Sequence, residues 1–306
     1  MLLSKKIFLM YSPAKDEKER ICGHTFEVMD YYLFLKDLGY QCKIIIFDKF
    51  KDKEKLFNAW EDKYILNINY RDDIIFQNIK FNKLNNLNYL GTVIITSGID
   101  LFWSQIINLR ARKIISFQCE EFDYTDYLKK PNFYLLRDER IYENKNNSDK
   151  TFNYIKKLYF KKYKKFRSKK SKNNQLIYIN SKLKSLSKSQ IKKIINEYKL
   201  QNTLFISGTS LSDVEMNKYN EFGEVKIAPV NNLFYEFNEL ILTPNTRNFD
   251  CSPRFITECK YYDKKITFTF DPIVDRGLFW RWQDIYYDFD SLELKKGDLI
   301  ESVLAY

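Results

Sequence analysis

The chain has 306 residues, 44% hydrophobic and 30% charged, with only 8 Gly and 6 Pro. That composition allows about two globular domains and excludes a disordered, collagen-like or peptide-sized chain. The formal net charge of +11 favours a phosphate-rich partner, either nucleic acid or an anionic membrane surface. Five cysteines without a Cys-x-x-Cys pair, and a single histidine, argue against a disulfide framework and a Cys/His zinc site. Apolar runs such as Ile44 to Phe47 and Val93 to Ile95 fall far short of the ~20 residues of a membrane span. Nothing at the start of the chain suggests export, so a reducing cytoplasm is the expected location. The 17% aromatic content, with 23 Tyr and 25 Phe, accompanies abundant Lys, Asn and Ile, as A/T-rich codons would produce.

In chain order, Lys6 to Tyr11 reads as a strand, Thr25 to Leu38 as a helix ended by Gly39, and Cys42 to Phe47 as a second strand. Tyr64 to Asn69 and Val93 to Thr96 follow as strands, Leu101 to Leu109 as a helix and Lys113 to Phe117 as a strand. This alternation predicts parallel βαβ units with both sheet faces covered. Beyond an Asn- and Lys-rich junction at Asn144 to Lys150 and a basic stretch, the rhythm restarts. Leu176 to Asn180, Leu204 to Ser207 and Val225 to Ala228 are predicted strands, with a helix at Lys188 to Tyr198. Asn231 to Asn238 reads as helical, Leu240 to Thr243 as extended, Pro253 to Tyr262 as helical and Ile266 to Phe270 as extended. The chain therefore divides into an N-terminal α/β domain over 1–150, a basic linker or helix over 151–174 and a C-terminal α/β domain over 175–306. The final stretch, with Trp280, Trp282, Tyr286 and Tyr287, is expected to pack across both halves. Open parallel sheets bind ligands beyond the carboxyl ends of their strands, so a cleft between two halves is the expected site.

Between Lys156 and Lys172 the chain carries ten basic residues and no acidic one, among them Lys161, Lys162, Lys164, Lys165 and Arg167. Tyr159, Phe160, Tyr163 and Phe166 recur at spacings of three and four, which predicts a helix with an aromatic stripe and lysines around the rest. One reading makes this a docking surface for nucleic acid or an anionic membrane. The other makes it a solvated connecting helix whose aromatics pack on a domain.

The segment Leu240 to Phe270 places a strand before a loop, Ser252 at an N-cap, Pro253 at a first helical position, and Glu258 inside a helix. Main-chain amides at that helix start, with Arg254 beside them, suit a diphosphate. Asp250 and Glu258 are eight apart, so Asp250 belongs to the loop and Glu258 lies two turns into the helix. Asp250 would meet a ligand beyond its phosphates, and Glu258 would accept hydrogen bonds from ribose hydroxyls. The alternative is a surface helix with one glutamate at a buried edge. Gly23 and His24 follow the first strand's polar loop, where backbone can approach a ligand closely; His24, at the predicted helix start, either faces the cleft or is a capping or packing residue. Asp100, after the strand ending at Thr96, is an acceptor-side residue or an N-cap.

The Asp250 and Glu258 spacing, with its strand, loop, Ser-Pro helix start and following strand, resembles the Glu-x7-Glu element of retaining nucleotide-sugar glycosyltransferases with the GT-B fold. The helix end, turn and strand of KYYDKKITF and the glycine of Gly23-His24 resemble the same family. The resemblance implies two Rossmann-like parallel-sheet domains facing a cleft, with the acceptor in the N-terminal half and the donor in the C-terminal half. It further implies that Asp250 contacts the transferred sugar and Glu258 the nucleotide ribose, and that Lys182 and Lys188, after the first strand of the second half, neutralise the diphosphate. Ser207-Gly208-Thr209 and Val225 to Asn232 would frame the base. In inverting members a histidine set as His24 is acts as general base, whereas retaining members more often hold the sugar there; retention is the favoured reading. The co-substrate would be a nucleoside-diphosphate sugar such as a UDP-sugar, with no resident cofactor, no metal and no obligate protein partner. Asp288-Phe289-Asp290 is the one Asp-x-Asp and lacks a suitable strand context. The basic, histidine-poor, A/T-biased chain also resembles phage-encoded members that modify DNA bases. A surface-glycan glycosyltransferase at an anionic membrane and a non-catalytic nucleic-acid-binding protein using Lys156 to Lys172 are the alternatives.

Overall fold

A computed structural model of the chain describes residues 6–11, 21, 23–47, 52–77, 88–96, 110–117, 124–138, 148–154, 157–165, 171–179, 186–208, 210–228, 230, 232–242, 254–269, 293–298 and 302–304. One sheet contains β1 (Lys6–Tyr11), β2 (Gln41–Phe47), β3 (Ile74–Gln77), β4 (Asn88–Ile95), β5 (Arg110–Phe117), β6 (Phe133–Asp138) and β7 (Thr151–Tyr154), in the order β3-β2-β1-β4-β5-β6-β7. The other contains β8 (Gln175–Ile179), β9 (Thr203–Ser207), β10 (Gly223–Ile227), β11 (Glu239–Leu242) and β12 (Lys265–Phe268), in the order β10-β9-β8-β11-β12. All strand pairings in both sheets are parallel, as the alternating sequence pattern requires.

A parallel sheet covered on both faces needs strands that are apolar on both sides. Ile44 to Phe47, Val93 to Ile95 and Ile114 to Ile115 meet that need, none of them more than 2% exposed. In the second sheet the two-residue period of a strand separates two cores. Leu176, Leu204, Leu240 and Ile266 join Phe234, Phe237 and Ile256 on one face, while Ile177, Phe205 and Ile241 join Ile191 and Tyr219 on the other.

The helices are α1 (Gly23–Asp37), α2 (Lys53–Lys63), α3 (Thr125–Leu128), α4 (Lys188–Glu197), α5 (Asp213–Asn220) and α6 (Arg254–Tyr261). Gly39, at φ 87°, stops α1 as expected: its N–H donates to the Lys36 carbonyl and that of Tyr40 to the Leu35 carbonyl, each at 3.0 Å. This is the paired closure that a left-handed residue after a helix permits. α4 and α5 open with capping boxes, Ser187 with Gln190 and Ser212 with Glu215. None of the described helices is long and apolar enough to cross a membrane.

The chain separates into a first unit, Met1–Tyr163 with Ser291–Tyr306, and a second, Lys164–Asp290. Several sequence expectations change here. Thr151 to Tyr154, read as the start of a linker, forms the edge strand β7. The basic stretch is not a continuous helix: its described residues contain one 3-10 turn at Phe160–Lys162, and Tyr163 bridges Tyr64 in antiparallel fashion. The aromatics explain why. Tyr159, Phe160 and Tyr163 are each at most 5% exposed, with Tyr159 against Phe34 at 5.5 Å and Tyr163 against Tyr64 at 5.1 Å between ring centroids. Separate pockets on the first unit override the helical spacing. Tyr64 to Asn69 is not a strand: Tyr64 caps α2, a turn follows, and the 3-10 turn Tyr70–Asp73 leads into β3. Asn231 to Asn238 contains only a 3-10 turn at Leu233–Tyr235, since Asn232 sits at φ 52° and breaks the helix. The helix expected at Leu101 to Leu109 and the aromatic end at Trp280 to Tyr287 lie outside the described residues. Near the chain end, Leu294 N–H donates to the Leu158 carbonyl at 2.9 Å and Lys113 Nζ to the Val303 carbonyl at 2.7 Å, both within the first unit.

Candidate functional site

Each sheet reverses its strand order once, between β1 and β4 in the first and between β8 and β11 in the second. Connections diverge from such a point, leaving the crevice at the carboxyl ends of the strands where α/β proteins bind ligands.

In the second unit, β11 ends at Leu242 and the chain next appears as α6 from Arg254. A helix that returns to a parallel strand starts beyond the carboxyl ends, so the α6 N-terminus belongs to that edge. Arg254 Nε donates to Glu258 Oε1 at 2.5 Å across one helical turn, with the side chains 14% and 3% exposed. The sequence assigned Arg254 and Glu258 to different parts of a ligand; the structure joins them. A carboxylate this deeply placed needs such a partner. Rings fix the helix beneath it: Tyr262 stacks on Phe234 at 4.6 Å, and Phe255 lies 5.4 Å from Phe234 and 6.2 Å from Phe237. Burial, and then the Glu258 charge, push the Cys259 thiol and the Tyr262 phenol well up, keeping both neutral. The helix closes as KYYDKK suggests, with Asp263 at φ 54° and Lys264 N–H donating to the Cys259 carbonyl at 2.8 Å.

Lys188 opens α4 and pairs with Glu221. A lysine reaching for a carboxylate of its own unit is a weaker candidate for the diphosphate than the sequence implied. Asp250, Ser252, Pro253 and Lys182 lie outside the described residues, as do Asp100 and Arg167.

In the first unit, Thr96 N–H donates to the Met10 carbonyl at 3.3 Å, closing the end of β4 onto β1. Tyr11, the last residue of β1, shares a hydrogen bond of 2.8 Å with Thr25 Oγ1, and Trp60 Nε1 donates to the Thr25 carbonyl at 2.9 Å. These bonds attach the α1 N-terminus to the strand end, which is where Gly23 and His24 stand. Among the described residues, a Cβ on Gly23 would meet nothing within 4 Å beyond its chain neighbours and its own helix, so its backbone permits close approach. His24 Nδ1 lies 3.2 Å from Glu27 Oε2. Sequence reading passed over Glu27, although the spacing of three on a helix was visible.

Among the described residues of the basic stretch, Lys157, Lys161, Lys162 and Lys172 face carboxylates. Asp37 accepts from the Tyr159 hydroxyl at 2.7 Å and pairs with Lys161 at 3.2 Å and Lys162 at 3.1 Å. Burial raises the Asp37 carboxyl, but the bonds from Tyr159, Lys162 and Lys161 outweigh it and hold it below the usual range. Lys157 pairs with Asp298 at 2.6 Å and Lys172 with Glu224 at 3.3 Å. Lys164 and Lys165 are half-buried and exposed respectively.

No family model matches the chain, and no curated protein matches its sequence. Among solved structures, a point mutant of S. aureus TarM in complex with fondaparinux, alpha-GlcNAc-glycerol and UDP is similar at a TM-score of 0.54 and 9% identity, covering 98% of this chain and 91% of that one. Anabaena HepE in complex with UDP and glucose reaches 0.48 at 13% identity, over 86% and 80% of the two chains. An alpha-glucosyltransferase in complex with UDP and a 13-mer DNA containing a HMU base reaches 0.45 at 9% identity, over 98% and 99%. At 9% identity, what the first shares with this chain is the fold: two parallel α/β sheets in sequence.

Proposed function

We propose that the protein is a glycosyltransferase that moves a sugar from a nucleoside-diphosphate sugar, of the UDP type, to a hydroxyl of an acceptor. The reading is carried by the Arg254 and Glu258 pair at the strand-order reversal of the second sheet, 2.5 Å apart. The donor binds in the second unit. Main-chain amides at Ser252 to Arg254 take the diphosphate, Glu258 the ribose and Asp250 the sugar, while Lys182 adds positive charge. Arg254 serves both sides, holding the Glu258 carboxylate with Nε and turning its remaining guanidinium toward phosphate. In the net step the bond from the anomeric carbon to the diphosphate oxygen breaks, one to the acceptor oxygen forms, and the hydroxyl proton leaves with the diphosphate. Retention is the proposed course, from the likeness of the Asp250 and Glu258 spacing to retaining members, and His24 is proposed to meet a hydroxyl. The UDP and glycosylated glycerol bound by the TarM structure of the same fold support the class.

The acceptor is proposed to be a polyol or surface glycan. The phosphates of a DNA acceptor would draw on a cationic strip, and four of its ten basic residues, Lys157, Lys161, Lys162 and Lys172, face carboxylates. The same pairing weighs against a purely nucleic-acid-binding role. Incubating the protein with a panel of nucleotide sugars tests the class without an acceptor: slow hydrolysis of one donor, inhibited by UDP, is expected. Failure to hydrolyse or bind any of them refutes it. Glycerol-phosphate polymer and hydroxymethylated duplex DNA, offered in parallel with that donor, decide the acceptor.

A further inference from the structure

His24 and Glu27 form the first-unit counterpart of the pair on α6. Three residues apart, they share one face of α1; the histidine is 45% exposed and the glutamate 10%. A glutamate at neutral pH is ordinarily ionised, and an ionised carboxylate only accepts hydrogen bonds. The nitrogen facing Glu27 Oε2 across 3.2 Å is Nδ1; a hydrogen bond to that carboxylate needs the proton on Nδ1, which in the neutral ring leaves the lone pair on Nε2. The other ionisable groups in this part of α1 are engaged elsewhere or neutral. Asp30 accepts from the Tyr64 hydroxyl at 3.0 Å, and burial, followed by the charges of Glu27 and Asp30, drives the Tyr31 phenol far up. The helix start itself is held rigidly by Tyr11 and Trp60 through Thr25.

We propose that Glu27 is a positioning residue that locks His24 in the Nδ1–H tautomer, so that Nε2 stands as a hydrogen-bond acceptor for a hydroxyl at the carboxyl edge of the first sheet. The hydroxyl, of the transferred sugar or of the acceptor, rests on the glycosyltransferase reading; the tautomer does not. A carboxylate that fixes an imidazole in this way acts without touching the ligand. It sets which ring nitrogen is presented and in which direction.

Because His24 is the only histidine in 306 residues, labelling histidine with nitrogen-15 gives a single imidazole whose two nitrogens report the tautomer directly. At alkaline pH the wild-type spectrum is expected to show a protonated Nδ1 and a bare Nε2, and Glu27→Gln to lose that preference. A wild-type ring protonated at Nε2, or a Glu27→Gln spectrum identical to wild type, overturns the proposal. Should Glu27→Gln fail to fold, the wild-type spectrum decides by itself. With the hydrolysed donor in hand, Glu27→Gln is expected to lower turnover on the order of 10-fold to 100-fold, the scale of a misdirected contact group, and Glu27→Asp to recover part of it. Full turnover in Glu27→Gln overturns the functional part. The expected tautomer without turnover of any nucleotide sugar overturns the glycosyltransferase reading and leaves the positioning of His24 by Glu27 standing.

Discussion

Replacing Glu258 with alanine takes the carboxylate away from the Arg254 guanidinium on the helix face that packs against the apolar core. Removing one partner of a buried ion pair costs about 3–5 kcal/mol. Arg254 keeps 14% exposure, so water reaches the guanidinium and the lower end, about 3 kcal/mol, is expected. With a denaturant slope near ~2 kcal/mol per molar urea, the midpoint of the second unit falls by about 1.5 M, read by circular dichroism and by hydrogen exchange of α6. A drop below about 0.5 kcal/mol, the ordinary range for surface substitutions, refutes the reasoning. The double variant Arg254→Met with Glu258→Leu separates structure from function. Apolar residues of similar volume replace a buried pair at little cost, so most of the stability returns while UDP binding, measured by calorimetry, does not. Wild-type affinity for UDP in that variant would reduce the pair to packing and remove the donor site from α6.

Three further outcomes follow from the same reasoning. The Asp37 carboxyl is depressed in the folded state, so its contribution is present above the unfolded carboxylate range and lost as pH falls through the folded value; Asp37→Asn should lower stability at pH 7 by about 1 kcal/mol, the scale of one hydrogen bond, and flatten its fall toward acid, checked by thermal melts from pH 7 to 3. Gly223→Ala would drive a Cβ into the Thr203 carbonyl oxygen, so a loss of at least about 1 kcal/mol, the lower range for overpacking, is expected in the melt of the second unit. Lys161→Ala with Lys162→Ala should change the slope of log affinity against log salt for duplex DNA by much less than the ~0.9 per phosphate contact of free lysines, and a change near that value for each lysine would restore the DNA-docking reading.

The twofold α/β design is legible in the residues themselves, because a strand buried on both faces has to be a short apolar run and the helices between them begin and end with local signals. Gly39 after α1, Asp263 after α6 and the turn between α6 and β12 are of this kind: one residue tolerates positive φ, and the chain turns there. Arg254 and Glu258 sit four apart on one helix, so their proximity was readable, as was that of His24 and Glu27. The fate of the basic stretch was not. Lys161 and Lys162 pair with Asp37, which lies 124 and 125 residues away in sequence, and Tyr159 and Tyr163 pack against Phe34 and Tyr64. Only long-range packing sets which charges meet. Local spacing states what a segment prefers alone, whereas burial of a tyrosine or phenylalanine is worth enough free energy to overrule that preference once a matching surface exists.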